Sequence, residues 1–376
     1  MDIKKNRFII IIFFLIIFAF IYSYNTYTPA FIAPDETLNY AFSQIYADTG
    51  NLYYEEELNS IAGGIIRPRG VKYIDNKIIS NKFIGFPFYY GTIIVLTGAD
   101  LLPYLTFLFS CIGMLSIYLL GKELFGLENG LISIFLLGFF PPYWYWSNFP
   151  LFETVFGSVF FILGLVYFIK LLNVQSLSNS LLTGIFFGIS WNIRPDMILF
   201  LIPIFLISVL EIRKLKLRTL VISFTIFIFI ISPVLLLNND VYGGYLTTGH
   251  TVNTASSEGS TKVIPTPGIL WQKDFSIMFD NLKNLINTIP LFPFFIIGLF
   301  ICFSNIKFFK SNSRNMYLLF ILLSISIGII SNLQDSIVLR PWEYKKHNKY
   351  LYCNSTLLKN PSSSNNLSLF HITIGL

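Results

Sequence analysis

Charge is what this sequence has least of. Asp, Glu, Lys and Arg together make up 12% of its 376 residues, about half the share usual for soluble domains, which excludes a water-soluble globule. Cysteine is scarce as well. Cys111, Cys302 and Cys353 have no metal-ligand spacing and the first two lie inside apolar blocks, so neither a zinc site nor a disulfide framework is supported. The chain holds no Gly-rich phosphate loop, no His-Glu-x-x-His run and no Gly-x-Ser-x-Gly elbow, which removes three common enzyme chemistries. Nucleic acid is excluded as a partner too. The net charge of +6 comes from Lys and Arg in short clusters between apolar blocks, not from one basic face.

What fills the chain instead is Ile, Leu and Phe in blocks of about 15 to 25 residues, matched to the roughly 20 helical residues that cross a hydrocarbon core. Helices are expected, because a helix satisfies its own backbone in lipid. The blocks 8–24, 101–120, 127–146, 151–172, 177–193, 196–210, 219–237, 285–303 and 317–331 read as passages. The fold class expected is all-α, a polytopic transmembrane bundle of about nine spans with the lipid bilayer as its first partner. The first block follows Lys4, Lys5 and Arg7 and is not followed by a small-residue cleavage site. It reads as a retained helix, N-terminus in the cytoplasm, rather than a signal peptide.

The stretch 85–99 is apolar but short, and carries Pro87, Gly91 and Gly98. If it does not span, Lys122, Lys170, the run Arg213, Lys214, Lys216 and Arg218, and the group Lys307, Lys310 and Arg314 all fall on the cytoplasmic side, as the positive-inside rule requires. It is therefore expected as a juxtamembrane or re-entrant helix within a large first extracytoplasmic loop, 25–100. The outer face then receives Asp35 and Glu36, the turn up to Glu153, the turn Arg194-Pro195-Asp196 and a later loop, 238–284. Ionisable groups gathered at membrane depth are a functional hypothesis by default.

Ala33-Pro34-Asp35-Glu36 is the most informative segment, and two readings stand open for it. Adjacent carboxylates at a membrane surface suit a general base or a divalent-cation site. Equally, Pro and two acids make a helix start. His250 reads as a solvated loop histidine, and Tyr143, Trp144, Tyr145 and Trp146 as an interfacial belt. The tail after 331 is polar and rich in Ser and Asn, and reads either as a disordered end or as a truncated or frame-shifted chain.

The order of these pieces resembles the GT-C membrane glycosyltransferases, in particular the protein O-mannosyltransferases and the lipid A aminoarabinose transferase of glycosyltransferase family 39. The resemblance covers residues 1–331. It is carried by Asp35-Glu36 early in the first outer loop, Phe86-Pro87-Phe88-Tyr89-Tyr90, the run Tyr118 to Gly126, Phe140-Pro141-Pro142 followed by Glu153, Gly184 to Gly188 leading to Arg194-Pro195, and Tyr242-Gly243-Gly244-Tyr245 with Thr248-Gly249.

The resemblance implies transfer of a sugar from a polyprenyl-phosphate carrier to a protein, glycolipid or polymer acceptor on the outer face. Asp35 is then the expected general base, since a hydroxyl acceptor must lose its proton as it attacks. Glu36 or Glu153 is suited to orient the acceptor or to hold a divalent cation. Arg194 is the first cation expected at the leaving phosphate, with Arg67, Arg69, Lys72, Lys77 and Lys82 behind it. A multi-pass transporter or lipid flippase is the alternative, and a structural subunit a third reading. Neither internal repeats nor mid-span charges, which transporters often carry, occur in the sequence.

Overall fold

A computed structural model describes residues 3–22, 33–55, 57–61, 70–74, 76–198, 200–201, 204 and 216–252, all within the first of the two compact units into which the chain divides. The expected spans at 285–303 and 317–331, and the polar tail, lie outside the described residues. The described part is mostly helical, and three of its helical stretches are long and apolar enough to cross a membrane: Ala99–Phe125, Glu153–Asn173 and Leu217–Tyr242.

The helices in chain order are α1 (Ile3–Tyr22), α2 (Pro34–Thr49), α3 (Glu57–Ile61), α4 (Gly85–Thr97), α5 (Leu102–Phe125), α6 (Leu127–Gly138), α7 (Pro141–Ser147), α8 (Glu153–Asn173), α9 (Leu177–Ile193) and α10 (Leu217–Tyr242). The block expected at 127–146 is in fact two helices. Pro141 and Pro142 lack N–H donors, and Phe140 ahead of them is pushed to an extended ψ of 112°, so the chain breaks there. Conversely α10 runs past the apolar block expected to end at 237, through Asn238 to Tyr242, and stops where Gly243 takes a left-handed φ of 74°.

Contacts fix the direction of each helix. Phe14 meets Phe135 and Phe18 meets Phe139, so α1 and α6 run parallel. Gly121 lies against Gly130, making α5 and α6 an antiparallel hairpin turned at Gly126. Thr106 bonds Leu151 and Phe109 packs on Phe156, so α5 and α8 run parallel. Gly164 meets Phe187 and Gly157 meets Arg194, so α8 and α9 are antiparallel. The Ser223 hydroxyl donates to Ser180 and the Asn192 amide to Ile230, which makes α9 and α10 parallel.

Such directions collect the ends of α1, α6, α9 and α10 and the starts of α5 and α8 at one end of the bundle. The opposite end carries Lys122, Lys170, Lys216 and Arg218. Close approach of small residues sustains the packing, as it must where lipid gives helices no hydrophobic reason to associate. A Cβ added at Gly184 would lie 2.4 Å from the Ser223 carbonyl oxygen.

Between α2 and α4 the all-α expectation needs correction. Tyr53–Glu55 (β1), Val71–Ile74 (β2) and Lys77–Ser80 (β3) form an antiparallel sheet in the order β1-β3-β2. Tyr53 pairs with Ile79, and Lys72 with the same residue from the other side. The alternation in 71–80 is short and interrupted by charge, so the stretch reads as a polar loop until its apolar members are placed. Leu52, Ile74 and Ile79 are buried with Val241, Tyr242 and Val252, so the sheet caps the end of α10.

Helix α4 stays at the same end. At 13 residues it reaches about 20 Å, short of a hydrocarbon core of about 30 Å. It rests on α2, where Gly91 lets the backbone of Ser43 approach, and buries Phe86 and Tyr90 against Leu102, Leu105, Phe156 and Ile193. Its first residue touches α9 most tightly: a Cβ at Gly85 would fall 1.8 Å from the Asn192 carbonyl oxygen. Gly85→Ala must displace backbone, and is expected to destabilise the protein by about 1–3 kcal/mol, read as a lower melting temperature of the detergent-solubilised protein.

Candidate active site

Pro34 at the first helical position sets the start of α2, and the next two residues, both acids, part company. The Ala33 N–H donates to Glu36 Oε2 at 2.8 Å while the Glu36 N–H donates to the Ala33 carbonyl at 3.1 Å. Glu36 is 1% exposed and serves as the cap of its own helix, which is the helix-start reading of the dipeptide. Asp35 turns outward instead. Its Oδ2 pairs with Lys82 Nζ at 3.0 Å, and about a third of its side chain remains open, 37% by area.

Glu153, the first residue of α8, is linked to the same helix. Asn39, one turn beyond Asp35 and 2% exposed, donates from Nδ2 to Glu153 Oε2 at 3.0 Å and to the Leu151 carbonyl at 2.8 Å. Leu151 is itself unusual. It is a buried non-glycine residue at a left-handed φ of 61°, a conformation held only where the surroundings insist on it. Its N–H donates to Thr106 Oγ1 and its carbonyl receives Asn39, so both backbone groups are fixed.

Arg194 leaves the last turn of α9 and lays its stem over Gly157, where an added Cβ would come within 3.1 Å of it. Its Nε and Nη2 donate to the two oxygens of Asp196 at 3.1 and 2.7 Å, and its Nη1 to Thr154 Oγ1 at 3.1 Å. Burial disfavours the guanidinium charge, but Asp196 beside it and Glu153 farther off favour it, and the balance leaves its pKa above the ordinary value. The planar fork is thus engaged bidentately by a carboxylate of its own chain.

A strap from the later loop closes over this end. The Tyr242 hydroxyl meets the Ser80 and Lys82 carbonyls at 2.9 and 3.1 Å, and Gly249 lies so close to the backbone of 80–82 that a Cβ there would come within 2.4 Å. Lys72 donates to the Gly249 and Val252 carbonyls, and partial burial pulls its pKa down. His250 sets its ring edge-on to Phe83, centroids 4.7 Å apart. Crowding of that ring disfavours its charged form; Lys82, Lys72 and Arg194 push the same way and Glu153 opposes them, so its pKa lies below the usual histidine value.

Asp35, Glu36, Glu153, Arg194 and Lys72, all named from the sequence, are therefore gathered at one end of the bundle, while Arg67 and Arg69 lie outside the described residues. Sequence reasoning missed Asn39, Thr154, the pairing of Asp196 with Arg194, and the role of Tyr242. Of these only Asn39 left a signal: a polar residue one turn from Asp35, next to the apolar Leu38 and three residues before Phe42. Among the described residues no three His, Cys, Asp or Glu side chains converge as a cation site.

The arrangement offers an outward-facing carboxylate held by an ammonium, a second carboxylate held by an amide, and a guanidinium, all where apolar helices end. Residues 93–237 match the family model described as dolichyl-phosphate-mannose-protein mannosyltransferase. The match begins inside α4 and ends inside α10, taking in Glu153 and Arg194. It bears out the likeness to GT-C glycosyltransferases, and with the apolar helices it marks a membrane glycosyltransferase. No curated protein matches the chain.

The charges around His250 make it a reporter of the site. In protein labelled at the histidine rings, of which there are three, His250 is expected to titrate below the usual 6.5. Lys82→Met, by removing a nearby positive charge, should move that titration to higher pH, and Glu153→Gln, by removing a negative one, to lower pH. Carbon-proton NMR across the titration range, with His250→Asn for assignment, measures both.

Proposed function

We propose that this membrane glycosyltransferase takes its sugar from a polyprenyl-phosphate donor and transfers it to a hydroxyl acceptor on the extracytoplasmic face, with Asp35 as general base. The observation that carries the reading is the Asp35–Lys82 pair, partly open to solvent at the end of the bundle where Glu153 and Arg194 also stand. The basic residues support this choice of compartment: Lys122, Lys170, Lys216 and Arg218 stand at the opposite end, the end the positive-inside rule favours for the cytoplasm. About nine spans, the N-terminus in the cytoplasm, complete the arrangement.

In the proposed step the acceptor oxygen bonds to the anomeric carbon while its proton passes to Asp35. The bond from that carbon to the phosphate oxygen breaks, and the lipid phosphate leaves with the electron pair. Its charge needs cations in a site shielded from water. Lys82, relieved of its partner once Asp35 is protonated, and Arg194 are the nearest; Arg67, Arg69 and Lys72 are further candidates. Lys72 would first have to release the carbonyls it now holds. Glu153 is assigned the orientation of the acceptor, and Glu36 support of the helix that presents Asp35. The sugar class, hexose or pentose, follows from the acceptor and donor tested.

Purified protein incubated with radiolabelled polyprenyl-phosphate sugars should release label from the lipid. Asp35→Asn should reduce release by roughly 100- to 10,000-fold, the range expected for a lost general base, with expression and membrane insertion unchanged. Near-normal transfer by that variant removes Asp35 from its role. Intact donor crossing a liposome without loss of label would replace the enzyme by a flippase.

A further inference from the structure

Asn39 is placed to govern both proposed acids. It lies four residues after Asp35, hence one helical turn along and on the same face of α2, about 6 Å by helix geometry. Its side chain crosses to another part of the fold more than a hundred residues away. There a single amide nitrogen meets the Leu151 carbonyl at 2.8 Å and Glu153 Oε2 at 3.0 Å. A primary amide has two N–H donors, so each acceptor receives one.

The receiving side is built to match. The left-handed φ of Leu151 turns a tight corner between α7 and α8, and Thr106 from α5 holds the N–H of the same residue at 3.1 Å. Strain of this kind persists only where neighbouring groups over-determine it. On the α2 side the Ser43 hydroxyl donates to the Asn39 carbonyl at 2.6 Å, and Ser43 in turn is packed under Gly91 of α4. The Asn39 amide thus joins α2 to the corner before α8 and to the first residue of that helix, with both sides held by further bonds.

We propose that Asn39 is a positioning residue that sets Glu153 relative to Asp35, so that acceptor orientation and proton removal occur in register. The inference rests on the function proposed above. It assigns Asn39 no contact with substrate; it acts through Glu153. An isosteric side chain without donors leaves α2 its length and packing but lets the carboxylate swing, and a displacement of about 1 Å at a reacting centre costs on the order of 100-fold in rate.

Asn39→Leu, Glu153→Gln and the double variant are to be compared in the sugar-release assay, with Asn39→Ser as a smaller side chain too short to reach both acceptors. Asn39→Leu should lower kcat by roughly 100-fold with the KM for the lipid-linked donor within about twofold, since ground-state binding is untouched. In the Glu153→Gln background it should cause no further loss, because the group it positions is gone. Multiplicative losses in the double variant would overturn the inference. So would failure of both Asn39 variants to yield folded protein, which makes the residue structural. A wild-type protein inactive with every polyprenyl-phosphate sugar defeats instead the function on which the inference rests.

Discussion

A charge that stands where an apolar bundle ends has to be paired, and most of the arrangement at that end follows from this constraint. Desolvating an ion is expensive, and the cost is recovered only with good geometry and filled hydrogen-bonding positions. Arg194 meets it with Asp196 and Thr154, and Asp35 with Lys82. Glu153 is met by an amide and Glu36 by the backbone of its own helix cap. Lys82 and Asn39 come from parts of the sequence far from Asp35 and Glu153 respectively, so satisfying those two charges also fixes how the loop elements lie on the helices. The chemistry proposed here uses the two pairs left most open.

The same economy is seen in the loop segments. The small sheet between α2 and α4 is too short to be stable alone, and it persists because Leu52, Ile74 and Ile79 bury themselves on Val241, Tyr242 and Val252. The Lys72 and Tyr242 side chains then donate to backbone carbonyls of segments far away in the chain. Lys82 gains its place from this strap: its carbonyl is held by Tyr242 while its ammonium reaches Asp35.

Much of the helical frame was legible in the sequence, because a solvent of hydrocarbon leaves few choices. The block at 177–193 coincides with α9, and that at 151–172 differs from α8 by a residue or two. The short segment 85–99 is expected on one face, and α4 within it packs on α2 and on the start of α5. What escaped were features that depend on tertiary partners: the sheet, whose alternation is masked by charge, and the break at Phe140, where two prolines end a run that looks continuous by hydrophobicity alone. The site was legible as a set of charged residue types sharing one end, not as a set of pairs. Nothing in the local sequence says that Arg194 takes Asp196 or that Asp35 takes Lys82.

The parallel course of α9 and α10 bears on how such a protein is made. Two neighbours that point the same way cannot be inserted as a hairpin. Until residue 217 has emerged and the next helix has been threaded, Gly184 and Gly188 present an unfilled groove to lipid. A major seam of the described bundle, that between α9 and α10, is therefore closed late, and the loops that follow α10 take their final places only after that.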